Sequence, residues 1–201
     1  MLLELTRLSV APLALAEVAS ELRDWARQPA AGGEPLGFWR SEMGELFQLL
    51  MLRAFPSEQA LLDARQRARL DPAPLGIRSS SVRLSMESYM PFPFLPLPQS
   101  QLAKPAQVYE FRTYWLKPGG LGPTLAGWEK AVPRARDYTA HLITNMYALD
   151  GPPRITHIWG FSSLEERARL RAEHYAAGLW PPEGGPQQID TATSLICLAQ
   201  T

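Results

Sequence analysis

The chain has 201 residues, 46% of them hydrophobic and 20% charged, with 20 acidic side chains against 20 basic ones. Such a composition buries a core and excludes a disordered chain, and the balanced charge gives no electrostatic case for nucleic acid or an acidic membrane as partner. A single cysteine, Cys197, excludes an internal disulfide and fits a reduced cytoplasmic compartment, and no run of about 18 apolar residues exists to make a membrane span.

In chain order, Leu2 to Val10 reads as a strand. The apolar stretch ending near Ala14-Leu15-Ala16 imitates a signal peptide, but Glu4 and Arg7 interrupt it, so the strand reading is preferred. Leu15, Val18, Leu22 and Trp25 recur at three and four residues and line one face of a helix. Leu46 to Phe55 is an apolar strand stopped by Pro56, and Ser57 is placed to cap a helix over Glu58 to Leu70. Ser80 to Tyr89 reads as the next strand. The proline-rich run from Pro91 to Pro98, continuing to Pro105, cannot donate regular ladder hydrogen bonds and predicts an extended linker; its Phe and Leu side chains predict packing along the body, and a ligand for another domain is the competing reading.

Beyond the linker, Val108 to Leu116 is a strand and Pro118-Gly119-Gly120 a turn. Leu121, Leu125, Trp128 and Val132 form a helical stripe that Pro133 should end or kink. Leu142 to Tyr147 and Arg154 to Phe161 flank the turn signal Asp150-Gly151-Pro152-Pro153. Ser162 or Ser163, with Glu165 or Glu166, makes a capping box for a helix to about Ala176, and Ala192 to Ala199 is the last strand, where Cys197 reads as a small apolar filler.

The two halves repeat. Glu4 and Glu110, Pro12 and Pro118, Phe55 and Phe161, Ser57 and Ser163, and Arg65 and Arg171 all lie 106 residues apart, and one shared offset indicates duplication of a whole unit. The expected domains are residues 1–90, a linker over 91–105, and residues 106–201. Each unit has the order βαββαβ, the ferredoxin-like plan of an antiparallel sheet with two helices on one face. The bare faces must be covered, so the fold class is α+β: two tandem ferredoxin-like units closing an eight-stranded dimeric α+β barrel within one chain, helices outside. Any homo-oligomer would be built from such pseudodimers.

Tyr109-Glu110-Phe111-Arg112-Thr113-Tyr114, Leu116-Lys117-Pro118-Gly119, His157-Ile158-Trp159 and Ser163-Leu164-Glu165-Glu166-Arg167 with Arg171 resemble the NIPSNAP family. The first unit resembles it through Gly37-Phe38-Trp39-Arg40-Ser41-Glu42-Met43-Gly44. At the 106 offset Trp39 faces Asn145, Glu42 faces Ala148, His157 faces Met51 and Trp159 faces Arg53, so each unit keeps what the other lacks. The resemblance implies a small α+β barrel without implying one reaction, since the wider fold includes cofactor-free monooxygenases and haem enzymes.

Alternation puts Glu110, Arg112 and Tyr114 on one face of their strand, opposite Tyr109, Phe111 and Thr113, and puts Ile155, His157, Trp159 and Phe161 together on theirs. Because helices demand an apolar surface, Glu110, Arg112 and His157 are expected to point into the barrel. The expected site is a small-molecule pocket between the sheets, with His157 as acid or base, Glu110 and Arg112 orienting the ligand, and Trp159, Trp39, Glu42, Tyr114 and Arg171 contacting it. Open beside it stand a structural Glu110–Arg112 ion pair, a core histidine, and an Arg167, Arg171, His174 helix face that is either solvated or at a barrel mouth holding an anionic substrate. His141, His157 and His174 lack metal-ligand spacing, and no phosphate loop or nucleophile elbow is present, so neither metal nor other cofactor is expected. The functional expectation is binding of a small hydrophobic or aromatic molecule, with cofactor-free monooxygenase or isomerase chemistry in view; the alternative is a non-catalytic interaction or scaffold protein with a filled barrel.

Overall fold

A computed structural model describes residues 1–78, 82–95 and 106–200. The first unit runs β1 (Leu2–Val10), α1 (Leu15–Ala26), β2 (Glu34–Met43), β3 (Gln48–Phe55), α2 (Glu58–Leu70) and β4 (Val82–Pro91). The second runs β5 (Val108–Leu116), α3 (Leu121–Arg134), the short α4 (Arg136–Thr139), β6 (Leu142–Ala148), β7 (Arg154–Phe161), α5 (Leu164–Ala176) and β8 (Ile189–Ala199). The strands form one closed antiparallel barrel in the order β1-β3-β2-β8-β5-β7-β6-β4. Each unit contributes a four-stranded ferredoxin-like sheet, and the seams are short: β4 meets β6 over residues 89–91 and 146–148, and β2 meets β8 over residues 39–43 and 196–199.

The caps expected from sequence form. Ser57 Oγ accepts from Ala60 N–H (3.2 Å), and Ser163 Oγ accepts from Glu166 N–H (3.1 Å). Glu166 reaches back one residue beyond the cap, accepting from Ser162 N–H and Oγ, each at 2.7 Å. Pro133 sits in the last turn of α3, and Ala135, at φ −102° and ψ 41°, leaves the helix two residues later. Leu46 and Phe47, expected in a strand, instead stand half exposed in the β2–β3 hairpin. The start of the predicted strand at Ser80 lies outside the described residues, as does the linker from Pro96 to Pro105. Its described beginning packs down: Phe92 is buried and meets Phe94 and Trp128 edge to face.

One pairing from sequence is corrected by the register. Strands β1 and β5, β3 and β7, and helices α2 and α5 superpose at the offset of 106, but Phe38 pairs with Met51 whereas Asn145 pairs with His157. The second strands therefore correspond at 107, each with a bulge at the same place, between Pro35 and Gly37 and between Leu142 and Thr144. Trp39 corresponds to Met146, and the counterpart of Asn145 is Phe38.

Candidate functional site

In β5 the inner face is Tyr109, Phe111 and Thr113. Tyr109 and Phe111 join Leu5, Leu52, Trp39 and Ile158 in the apolar cluster inside the barrel. Glu110, Arg112, Tyr114, His157 and Trp159 consequently lie on the opposite face, beneath α3, α4 and α5. This overturns the expectation that Glu110, Arg112 and His157 point into the barrel. The partners decide this: α5 brings Arg167 to the buried Glu110, whereas the inner-face arginine of β7, Arg154, is taken up by Glu87 and Asp150.

Glu110 is wholly buried and fully partnered. Arg167 of α5 grips it with two bonds, Nε to Oε2 at 2.7 Å and Nη2 to Oε1 at 2.6 Å; Ser194 Oγ donates to Oε1 at 2.7 Å, and Arg112 Nε lies 3.1 Å from Oε1. Burial alone would raise its pKa, but the Arg167 hydrogen bonds, the Arg112 charge and Ser194 together outweigh that and hold the carboxyl below its ordinary value. With both oxygens engaged, this group is a tie between sheet and helix. The first unit repeats the tie with other partners: buried Glu4 meets Arg53 Nη2 at 2.5 Å and Arg65 Nε at 2.7 Å.

The units differ in the next row across the sheet. In the second unit Ser194, Arg112, His157 and Asn145 stand side by side on four adjacent strands, where the first has Met86, Thr6, Met51 and Phe38. His157 accepts a hydrogen bond at Nδ1 from Trp159 Nε1–H at 2.6 Å, so its neutral ring carries the proton on Nε2, which has no partner. Burial, reinforced by the charges of Arg112 and Arg171, holds its pKa well below the usual histidine value. Both polar atoms of the Asn145 side chain are also unpartnered, although the residue is 1% exposed. The sequence places Asn145 only opposite Trp39; its position beside His157 emerges after sliding the repeat by one residue.

Aromatic rings close over this row. Tyr114 and Trp128 meet the His157 ring edge to face, with centroids at 4.9 and 5.1 Å, and Trp159 stacks on Tyr138 at 4.5 Å. On the far side of Tyr114 and Trp128 lies a pocket of about 310 Å³, bounded also by Thr124, Trp180, Ile189 and the exposed Tyr175. Its outer wall is the loop of residues 180–186, tethered where Trp180 N–H donates to the His174 carbonyl at 3.2 Å. Gly127 lets that loop close on α3, since a Cβ there would lie 2.4 Å from the Glu183 carbonyl oxygen. Thr124 is 2% exposed and its Oγ1 has no partner.

The expected site residues are thus dispersed. Trp39 is inside the barrel, edge to face with Tyr109 and Phe111. Glu42 is half exposed on the surface, 3.9 Å from Arg40. Glu110, Arg112, Tyr114, His157 and Trp159 are together, but only Tyr114 lines the pocket. The helix face of Arg167, Arg171 and His174 is only partly solvated and lies over the outer face of the sheet: Arg167 holds Glu110, Arg171 is half buried, and buried His174 packs near Tyr138. Trp128, expected as one member of a helical stripe, and Trp180 and Thr124, which carried no motif, are the pocket residues that sequence reasoning missed. Among the described residues no group of three or more His, Cys, Asp or Glu stands close enough to hold a metal ion, and no helix is long and apolar enough to cross a membrane.

A family model described as NIPSNAP matches the chain twice, over residues 3–95 and 109–198. The chain belongs to the NIPSNAP family. The Protein NipSnap homolog of Dictyostelium discoideum is 29% identical over 147 residues, which is 70% of this NIPSNAP chain and 62% of that relative, so the chain spans less than two thirds of its length. Among solved structures, a candidate monooxygenase from Lactobacillus acidophilus superposes with a TM-score of 0.66 at 11% identity, over 100% of this chain and 94% of that one. A heme-binding protein from Thermus thermophilus superposes with a TM-score of 0.55 at 14% identity, over 100% and 91%. At such identities the likeness is one of fold: an α+β barrel whose two sheets lie on one chain.

Proposed function

We propose that this NIPSNAP-family chain binds a small, largely apolar aromatic molecule, and that it does so between sheet and helices of the second unit instead of inside the barrel. The observation that carries the reading is the pocket of about 310 Å³ walled by Trp128, Trp180, Tyr114 and Ile189, with Thr124 in its lining. The volume lies within the range of small-ligand sites, and the wall chemistry is that of such sites, mostly apolar with few polar groups to fix orientation. That barrels of this fold elsewhere include a heme-binding protein agrees with the reading without naming the occupant.

The test is titration with 2-naphthol followed by tryptophan fluorescence, with native mass spectrometry as a second readout. Saturable binding that Trp128→Ala abolishes and that Trp180→Ala weakens is the expected result. Binding unchanged in both variants refutes this location.

Proton-transfer chemistry of the cofactor-free monooxygenase or isomerase type is a second reading, favoured by the unpartnered Nε2 of His157 one ring behind the pocket wall. With Nδ1 accepting from Trp159, His157 would serve as a hydrogen-bond donor or acid, not as a base. His157→Gln should then lower turnover of a bound aromatic, followed by oxygen consumption or product formation, while leaving its affinity unchanged; equal turnover removes the reading.

A further inference from the structure

The duplicated units disclose an arginine released from its counterpart's task. At the offset of 106, Arg171 corresponds to Arg65, whose guanidinium binds buried Glu4. In the second unit that role has passed to Arg167, one helical turn earlier, where the first unit has buried Leu61. Arg112 is likewise engaged on Glu110, and Arg169 on Glu173. Arg171, half buried, reaches no carboxylate among the described residues: its Nη2 donates to Tyr175 Oη at 3.3 Å, and its guanidinium carbon lies 5.2 Å from the Tyr175 ring centroid.

Tyr175 lines the pocket, and the Arg171 charge acts on Tyr114, which forms another wall. Arg112 and Arg167 already neutralise the single carboxylate of Glu110, which leaves the Arg171 charge in surplus, while the loop's own Glu183 is exposed to solvent. A surplus cation beside an aromatic cleft is matched by an anion whose body is apolar.

We propose that the pocket's ligand is an aromatic carboxylic acid, its ring held between Trp128, Trp180 and Tyr114 and its carboxylate taken by the Arg171 guanidinium with the Tyr175 phenol. The inference rests on the pocket reading above and adds the charge of the ligand. Guanidinium is suited to this because its planar fork pairs with a carboxylate through two parallel hydrogen bonds.

The experiment compares 2-naphthoic acid with 2-naphthamide by tryptophan fluorescence at pH 7 in the wild-type chain and in Arg171→Met, Arg171→Lys and Tyr175→Phe, with circular dichroism confirming that each variant is folded. For a partly exposed charged contact the acid should bind about tenfold more tightly than the amide. Arg171→Met should reduce the acid to the amide's level while leaving the amide unchanged, and Arg171→Lys should restore part of the difference. Equal binding of acid and amide to wild type, or an acid preference surviving Arg171→Met, overturns this inference and leaves the pocket reading standing. Failure of both probes to bind wild type overturns the two together.

Discussion

Replacing Glu110 with Gln tests the tie that anchors α5 to the sheet. The side chain keeps its shape and one acceptor oxygen but loses the charge opposite Arg167 and Arg112, whose side chains are only 21% and 10% exposed. Leaving buried cations uncompensated costs about 3–5 kcal/mol, and water reaching Arg167 argues for the lower end, about 3 kcal/mol. For a chain of this length that corresponds to a fall of roughly 6–12 °C in Tm. The sign of the pH dependence follows from the lowered native pKa of Glu110. Its stabilisation is complete above the unfolded carboxyl value of about 4.3 and is lost as pH falls below that through the native value, where both states are protonated. Urea unfolding followed by fluorescence at pH 7 and again at pH 3 should therefore show a wide gap between wild type and variant that narrows in acid. A cost under about 1 kcal/mol at pH 7, or a gap equal at both pH values, would refute the argument.

Three further outcomes are expected. The native ring of His157 resists protonation while the unfolded one does not, so stability falls as pH drops through about 6.5, by at most about 1.4 kcal/mol per pH unit for one proton; His157→Gln, which keeps an acceptor for Trp159, should flatten the unfolding free energy between pH 7 and pH 5. Gly127→Ala pushes α3 from the Glu183 carbonyl, so it should lower stability by about 1–3 kcal/mol and weaken 2-naphthol binding, whereas the same change at Gly122, whose Cβ would meet nothing within 4 Å, should be neutral or slightly stabilising. Cys197 is buried and its thiol is pushed up to about 12, so iodoacetamide should fail to label the native protein and should label it in urea, as read by mass.

The duplication was legible in the sequence because it is written in local signals. Serine caps, strand lengths and helical stripes recur at a fixed offset, and α2 and α5 begin and end at matching residues, Glu58–Leu70 and Leu164–Ala176. That Glu110 shares a face with Arg112, and His157 with Trp159, was legible too, since alternation along each strand dictates it; the register of β5 on β7 joins the two sets. The family resemblance rested on the same segments that the family model matches.

Which layer they occupy was beyond the sequence. Every residue of β3 and of β7 is buried, so these strands have no polar face to reveal which side meets the barrel interior and which the helices. The choice fell to partners brought from elsewhere in the chain: Arg167 and Arg65 reach their carboxylates from α5 and α2, a turn apart in the two units, and no spacing within a strand records this. Likewise a single residue added before β6 slides Asn145 beside His157, and a loop closing on Gly127 creates the pocket. Sequence by itself determined the repeated elements and the faces they carry. Only tertiary structure decided what each face meets, because burial on both sides erases the polarity contrast from which orientation is read.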